Sequence, residues 1–320
     1  MTASADVAVG AQASPADPER ICSVADGYHA QVPPPMVAEP LVLVVAYHSD
    51  DLLTAALGYL GRDLDVVIVD NDASPATARL ASAYGACYLP TPMNLGFAAA
   101  VNVALREAWD RTRDVLLLNP DAQVKGRDVI ALQQALRAHP RLAAVGPRLI
   151  DDEGRSQQVD WPIPSPAQVW FDALALSRFW RGPRFVVGAV LLLRAEALAQ
   201  VGDFDERYFL YGEEADWQLR AQRLGWEVRV IRSVTATHVG GASSNDPAVR
   251  ESRFHRSGTS FAQRWYGRPG GLVMWLGSTV AAGRRAVLGS STSRALNRRV
   301  LRLYLSGGLR DVARQRGGAA

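Results

Sequence analysis

Leu41-Val42-Leu43-Val44-Val45-Ala46 is an unbroken apolar run with three valines. A run that does not alternate with polar residues reads as a strand buried on both faces. Working outward, a helical pattern covers about 51–60, with Ser49 or Asp50 placed to cap it. Val66-Val67-Ile68-Val69 repeats the buried-strand signature and stops at Asp70, after which Ser74-Pro75 opens another helix. Residues 97–111 place Val101, Leu105 and Ala108 at helical spacing, and Val115-Leu116-Leu117-Leu118 is a third apolar strand. A helix over about 127–138 then leads to Ala143-Ala144-Val145-Gly146. Strand alternating with helix in this way implies an α/β fold, a mostly parallel sheet with helices on both faces. Ligands of such sheets bind beyond the carboxyl ends of the strands.

The flanks read differently. Residues 1–38 are rich in Ala, Ser, Pro and Asp without apolar periodicity, which predicts a disordered leader. Residues 151–185 read as irregular, with prolines among Trp161, Trp170, Phe171, Phe179 and Trp180. A strand is expected over 186–193, a turn at Gly202-Asp203-Phe204-Asp205, a helix over about 214–225 and a short strand at 228–231. From Arg250 the text is helical and arginine-rich. The divisions predicted are a leader at 1–38, a main domain at 39–246 and a basic helical extension at 247–320.

Charge is unevenly spread. Residues 248–320 hold 14 Arg, no Lys and two acids, Glu251 and Asp311, for a net +12. The whole chain is +3, so the preceding residues carry −9. A basic tail on an acidic body predicts an anionic contact, with phospholipid and nucleic acid both suited. The tail holds no nucleic-acid-binding module, which argues against nucleic acid. Two cysteines, Cys22 and Cys87, match no metal or redox spacing and predict a reducing compartment. No apolar run reaches the length of a membrane span, and no secretory signal is read at the start.

Several short segments carry chemistry, and each alone is also readable as an ordinary cap or turn. Asp70-Asn71-Asp72 closes a buried strand, where a carboxylate is costly unless it binds something. Asn94-Leu95-Gly96-Phe97 leads into a helix N-terminus, which favours an anion, and Asn102 follows one turn later. Asn119-Pro120-Asp121 offers a hard carboxylate oxygen on a stiff turn at a strand end, suited to a divalent cation beside a diphosphate. Glu213-Glu214-Ala215-Asp216 crowds three carboxylates at a helix start, where mutual repulsion raises pKa values and suits a general base. Tyr208, Phe209, Tyr211 and Trp217 flank those acids. His238 precedes Gly240-Gly241 and can ligate a metal as neutral imidazole.

Taken in order, the segments 67–74, 94–102, 117–121, 187–194, 202–217 and 238–241 resemble the family 2 glycosyltransferases, which have the GT-A fold. The similarity is greatest to the bacterial rhamnosyltransferase-like and galactofuranosyltransferase-like branch and spans about residues 41–245. The resemblance implies that Asp70 binds the nucleoside, with Ala46 and Tyr47 near the base. Asn71, Asn94, Gly96, Asn102, Asn119 and Gly188 fall in the motifs that surround the nucleotide sugar. Asp121 would hold Mg²⁺ or Mn²⁺ against the diphosphate, with His238 as its second protein ligand. Glu214 would deprotonate the acceptor hydroxyl, with Glu213 and Asp216 the other candidates for that role. Tyr211 and Trp217 would face the acceptor. The sequence departs from the family pattern at Asn119, where Asp is usual, and at Glu214, where the acidic pair usually ends in Asp.

The expected function is then an inverting, metal-dependent hexosyltransferase. It would move a sugar such as rhamnose from a dTDP- or UDP-linked donor to a saccharide or lipid-linked acceptor, in cell-envelope polysaccharide synthesis. The alternative is a catalytically idle sugar-nucleotide-binding or scaffold protein. The resemblance also places the chain in the cytoplasm at the inner face of the membrane. Arg284, Arg285, Arg298 and Arg299, beside Trp275, Leu276, Leu301, Leu303 and Tyr304, suit peripheral membrane contact. A homo-oligomer is left open.

Overall fold

The computed structural model describes residues 38–240 and 247–306. The predicted leader, apart from Ala38, and Gly241 lie outside the described residues.

The strands are β1 (Leu41–Ala46), β2 (Val66–Asp70), β3 (Cys87–Pro90), β4 (Val115–Leu118), β5 (Ala122–Gln123), β6 (Leu142–Ile150), β7 (Asp160–Pro162), β8 (Arg184–Val186), β9 (Val190–Leu193) and β10 (Glu227–His238). The helices are α1 (Asp50–Leu60), α2 (Pro75–Tyr84), α3 (Phe97–Glu107), α4 (Gly126–Arg137), α5 (Pro166–Ala173), α6 (Ala195–Val201), α7 (Glu213–Arg223), α8 (Pro247–Leu288) and α9 (Ser291–Leu305). Eight strands form one sheet in the order β3-β2-β1-β4-β9-β6-β10-β5. β1 runs parallel to β2 and β4, while β9 is antiparallel to β4 and β6. The mostly parallel sheet with helices on both faces is the architecture expected of the sequence.

The apolar runs explain its two cores. Successive side chains of a strand point to opposite faces. Val42, Val44, Leu116 and Leu118 therefore pack with Leu53 and Leu57 of α1 and Leu132 and Leu136 of α4. Leu41, Leu43, Val115 and Leu117 pack on the other face with Val101 and Leu105 of α3 and Trp217 of α7. Each large side chain so buried contributes about 1.5–3 kcal/mol of hydrophobic transfer. At the amino end of β4, buried Asp114 accepts Nε of Arg137 at 2.9 Å and the backbone N–H of Ala195 at 3.0 Å. That end is tied shut, and the carboxyl ends of β1, β2 and β4 carry the open loops.

Four expectations change. The strand expected over 186–193 is two strands, because the chain turns at Val187-Gly188-Ala189 and β8 leaves to pair with β7. The region 151–185 is not wholly irregular: it holds β7 and α5, the latter capped by the Ser165 side chain. β10 is 12 residues long and runs through to His238, pairing with β6 across an irregularity between Ile231 and Thr235. Cys87 is disulfide-bonded. Cysteine usage therefore gives no support to a reducing compartment.

The basic extension is part of the packed body. α8 kinks at Gly267 and lays Phe261, Trp265 and Tyr266 against Tyr208, Ala215 and Leu219. Arg284 donates to the carbonyls of Asp172 and Ala173 at the end of α5, and Arg285 pairs with the Asp172 carboxylate. These two arginines are turned inward, not toward a membrane.

Candidate active site

β2 ends where Asp70 meets its own turn. Its Oδ2 accepts the Ser74 N–H at 2.8 Å and the Tyr88 hydroxyl at 2.8 Å, and its Oδ1 accepts the Asp72 N–H at 3.2 Å. Burial pushes this carboxyl up, and neighbouring Asp72 adds to the shift. Asp70 thus shapes the loop with both oxygens. Asp72 is the more open carboxylate, and it pairs with Nδ1 of His48 at 2.8 Å. Ala46 is buried and offers its carbonyl to Asn71 N–H, whereas the Tyr47 ring is 40% exposed beside that pair. The His48–Asp72 pair had no signal in the sequence beyond proximity to two strand ends.

Asn71 is a bracket. Its side-chain amide donates to the Gly96 carbonyl at 3.1 Å, and its Oδ1 accepts the Thr91 hydroxyl at 3.0 Å. Asn94 accepts the Gly96 N–H at 2.9 Å. Gly96 sits at φ +81°, and a Cβ there would collide with the Phe209 carbonyl oxygen. The close backbone approach expected at Gly96 is therefore made to the protein's own 209 segment, where Phe97 N–H donates to Phe209 O at 2.8 Å. Buried Asn102 exchanges two hydrogen bonds with the Phe204 backbone, both 2.9 Å, and donates to Glu206 at 3.0 Å. Its amide serves the 204–206 turn.

After β4 the chain turns through Asn119-Pro120-Asp121, and the Asn119 N–H is held by the Ala189 carbonyl at 2.9 Å. β5 then pairs antiparallel with β10, setting His238 opposite Ala122. This brings His238 Nε2 to 3.5 Å from Asp121 Oδ1. Gln157 clasps the histidine from behind. Its Nε2 donates to the His238 carbonyl at 2.7 Å, and its Oε1 lies 3.1 Å from His238 Nδ1. With the Nδ1 proton donated to Gln157, the Nε2 lone pair faces Asp121. A carboxylate oxygen and an imidazole nitrogen facing one another suit a hard divalent cation. Among the described residues no cluster of three or more His, Cys, Asp or Glu gathers. The remaining ligands would have to come from a substrate such as a diphosphate and from water.

α7 separates the three carboxylates into different roles. Asp216 is fully buried and accepts Nε of Arg220 at 2.9 Å, Nε1 of Trp265 at 2.9 Å and Nε of Arg264 at 2.6 Å. Burial raises it and Arg220 pulls it back. Surrounded in this way, Asp216 locks α7 to α8 and has no room for a substrate proton. Glu213 is also buried, and its Oε2 has no hydrogen-bond partner. Desolvation, then the charge of Glu214, pushes Glu213 well above the usual carboxylate range. Glu214 is raised by desolvation too, with its Oε2 accepting the Gly212 N–H at 3.2 Å. A Cβ on Gly188 would lie 3.8 Å from Glu214 Cβ, an ordinary van der Waals distance, so Gly188 borders Glu214.

Trp217 corrects the expectation of an acceptor platform. It is completely buried, bonds the Gly202 carbonyl through Nε1 at 3.0 Å and stacks on Phe204 at 5.8 Å. Tyr211, at φ +71°, remains at the site's margin with its ring edge-on to Phe254. Gln157, Arg264 and Trp265 were missed in the sequence, because their partners lie 48 to 81 residues away.

The segments nevertheless join in one continuous series of contacts. Asn71 touches Gly96, which abuts Phe209; three residues on, Gly212 contacts Glu214; Glu214 lies against Gly188; Ala189 holds Asn119; and Asp121 faces His238.

The chain is 29% identical over 299 residues to N-acetylglucosaminyl-diphospho-decaprenol L-rhamnosyltransferase of Mycobacterium tuberculosis, covering 82% of this chain and 96% of that one. It is 23% identical to a low-salt glycan biosynthesis hexosyltransferase of Haloferax volcanii, covering 69% of this chain and 72% of the relative. Among solved structures, a mannosyltransferase from Pyrobaculum calidifontis in complex with GDP-Man and Mn²⁺ superposes with a TM-score of 0.52 at 18% identity, over 85% of this chain and 82% of that one. That likeness concerns the fold. Residues 42–201 match the family described as Glycosyl transferase family 2, and the chain belongs to that family of glycosyltransferases.

Proposed function

We propose that the protein transfers a hexose, with L-rhamnose the first choice, from a nucleoside diphosphate to a hydroxyl of a saccharide or lipid-linked acceptor, with inversion at the anomeric carbon. The rhamnosyl donor and the lipid-linked acceptor rest on the similarity to the mycobacterial rhamnosyltransferase. The donor class favours the cytoplasmic face of the membrane, and names among the relatives, including an O-antigen biosynthesis protein, favour cell-envelope glycans. The observation that carries the reading is the series of contacts that links Glu214, through Gly188, Ala189 and Asn119, to the facing pair Asp121 and His238.

In this scheme the open Tyr47 ring and Asp72 receive the base and ribose, and the loop shaped by Asp70, Asn71 and Gly96 forms the wall beside them. Asp121 and His238 would hold Mg²⁺ or Mn²⁺, which neutralises charge on the departing diphosphate. Gln157, in contact with Nδ1 of His238, would orient the ring so that Nε2 faces the ion. Glu214 takes the proton of the acceptor hydroxyl as its oxygen bonds to the anomeric carbon. The bond from that carbon to the diphosphate oxygen breaks, and its electron pair leaves with the nucleoside diphosphate. A raised carboxylate is a stronger base than an ordinary one, which suits this step.

The test is nucleoside diphosphate release with a nucleotide sugar, Mn²⁺ and a lipid-linked acceptor. Asp121→Ala is expected to lower transfer by about 10²-fold or more and to remove metal-dependent donor binding. Glu214→Gln is expected to lower transfer to a similar extent with donor binding retained. Full activity of Glu214→Gln sinks the base assignment. Donor binding without turnover in the unaltered chain would instead establish the idle-protein alternative.

A further inference from the structure

The hairpin of α8 and α9 presents two unlike faces. From Pro269 to Gly283 the sequence of α8 contains no charged residue. Its buried side, with Met274 and Ala281, faces inward, and Gly277 fits against Val169 and Trp170 of α5. The outer side should then be polar, as on an ordinary surface helix. It is apolar instead: Leu272, Leu276, Val280 and Val287 are 57%, 43%, 45% and 70% exposed and recur at helical spacing. A contiguous exposed stripe of this kind marks a contact surface.

α9 supplies the complement. Asn297 and Val300 are buried, while Arg294, Arg298, Arg299 and Arg302 are exposed. No Asp or Glu occurs between residues 252 and 306. Trp275 Nε1 donates to the Tyr304 carbonyl at 3.2 Å, and His255 Nδ1 lies 2.9 Å from the Tyr304 hydroxyl, so the two helices are fastened together. Trp275 and Tyr304 belong to the inside of this hairpin.

Three kinds of occupant compete for such a surface. Nucleic acid would neutralise the arginines but gives the leucines nothing apolar to enter. A second copy docked by two-fold symmetry would cover the leucines, yet it adds a second arginine row and no acid from residues 252–306. An anionic phospholipid surface satisfies both sets, with acyl chains for the stripe and headgroups for the guanidiniums. We propose that the α8–α9 hairpin is the surface on which the protein lies against an anionic membrane. Leu272, Leu276, Val280 and Val287 enter the boundary between headgroups and acyl chains, and the arginine row of α9 contacts the headgroups. The surface carries this inference by itself; only its link to a lipid-linked acceptor rests on the proposed transfer.

The experiment is flotation of the full-length chain with vesicles of phosphatidylcholine, with and without phosphatidylglycerol, in the absence of donor and acceptor. The protein is expected to float with the anionic vesicles and to stay behind with the neutral ones. Arg298→Gln/Arg299→Gln is expected to weaken binding by about 30-fold at low salt, from roughly 1 kcal/mol per charge. Leu276→Gln/Val280→Gln is expected to weaken it by about tenfold, and to do so at high salt as well. All four side chains are exposed, so the thermal midpoint and donor binding should be unchanged, which separates a surface effect from misfolding. Failure of the unaltered chain to float with anionic vesicles overturns the proposal, as does equal flotation of both double variants. A dimer that the Leu276→Gln/Val280→Gln pair splits, with no vesicle binding, assigns the stripe to a second copy and overturns it too. Because no sugar is present, loss of this inference leaves the transferase reading untouched, and the reverse also holds.

Discussion

Glu213 and Glu214 are neighbours in sequence with opposed requirements. A base must be able to lose its proton, and Glu214 keeps one oxygen on the Gly212 N–H. Glu213 has a buried, unpartnered oxygen and sits beside that charge, so its neutral form is favoured. Its folded pKa lies above the unfolded value near 4.5. The stabilisation this represents is complete below the unfolded value and is lost as pH rises through the folded one. Glu213→Gln mimics the protonated carboxyl. It is expected to melt about 2–4 °C above the unaltered chain at pH 8, with the difference closing by pH 4. Thermal melts across that pH range would show it, and a lower midpoint for the variant at pH 8 refutes the assignment. On the proposed assignment the acid limb of kcat/KM belongs to Glu214 and is expected above the usual carboxylate range, because desolvation raises it. An acid limb at the value of a free glutamate would exclude it as the base.

Element by element, the legible parts of the fold are those whose environment leaves a local trace. β1, β2 and β4 are covered on both faces, so every residue had to be apolar and the runs stand out. β10 hid because Arg229, Arg232, Thr235 and Thr237 interrupt its apolar positions, and its length comes from pairing with β6 across an irregularity. The 186–193 run misled because Val186 and Val190 are both buried, though in different sheets. In α7 the acidic turn was legible as a candidate site, but which of its carboxylates could serve as the base was not. Asp216 is removed from that role by Arg264 and Trp265, which arrive from α8 with no sequence signal at α7. That clasp leads to an expectation for Arg264→Ala. It leaves a buried carboxylate with Arg220 as its one remaining cationic partner, which destabilises by about 3 kcal/mol. Gly96→Ala acts on a different joint. The added Cβ meets the Phe209 carbonyl at a positive φ, so the loop that walls the donor side shifts against the 209–212 turn. It is expected to raise the KM for donor before it lowers the melting midpoint, and an unchanged KM would show that this joint does not position the donor.

For the whole molecule, the charge asymmetry suggested a tail and the structure shows a buttress. Arginines counted as tail charge are spent on the body: Arg264 on Asp205 and Asp216, Arg284 and Arg285 on the end of α5. Composition could report that the segment is basic. It could not report that Phe261 and Trp265 complete the cluster around Tyr208, Ala215 and Leu219 directly behind the acidic turn. The consequence is an asymmetric response to shortening the chain. Ending it after Leu288 removes α9 and its contacts through Tyr304, but keeps Arg264, Trp265 and the Asp172 latch. That form is expected to fold, to bind nucleotide sugar and to melt a few degrees lower, by roughly 2–4 °C per kcal/mol lost. Ending the chain after Gly240 uncovers the cluster behind α7 and strips Asp216 of two of its partners. That form is expected to lose its cooperative melting transition, or to aggregate, even though the whole eight-stranded sheet remains encoded. The comparison is a thermal melt and a donor-binding titration on the two shortened chains. A cooperative fold with donor binding in the shorter form would show that the sheet and α7 stand without α8, and the buttress would then have to be abandoned.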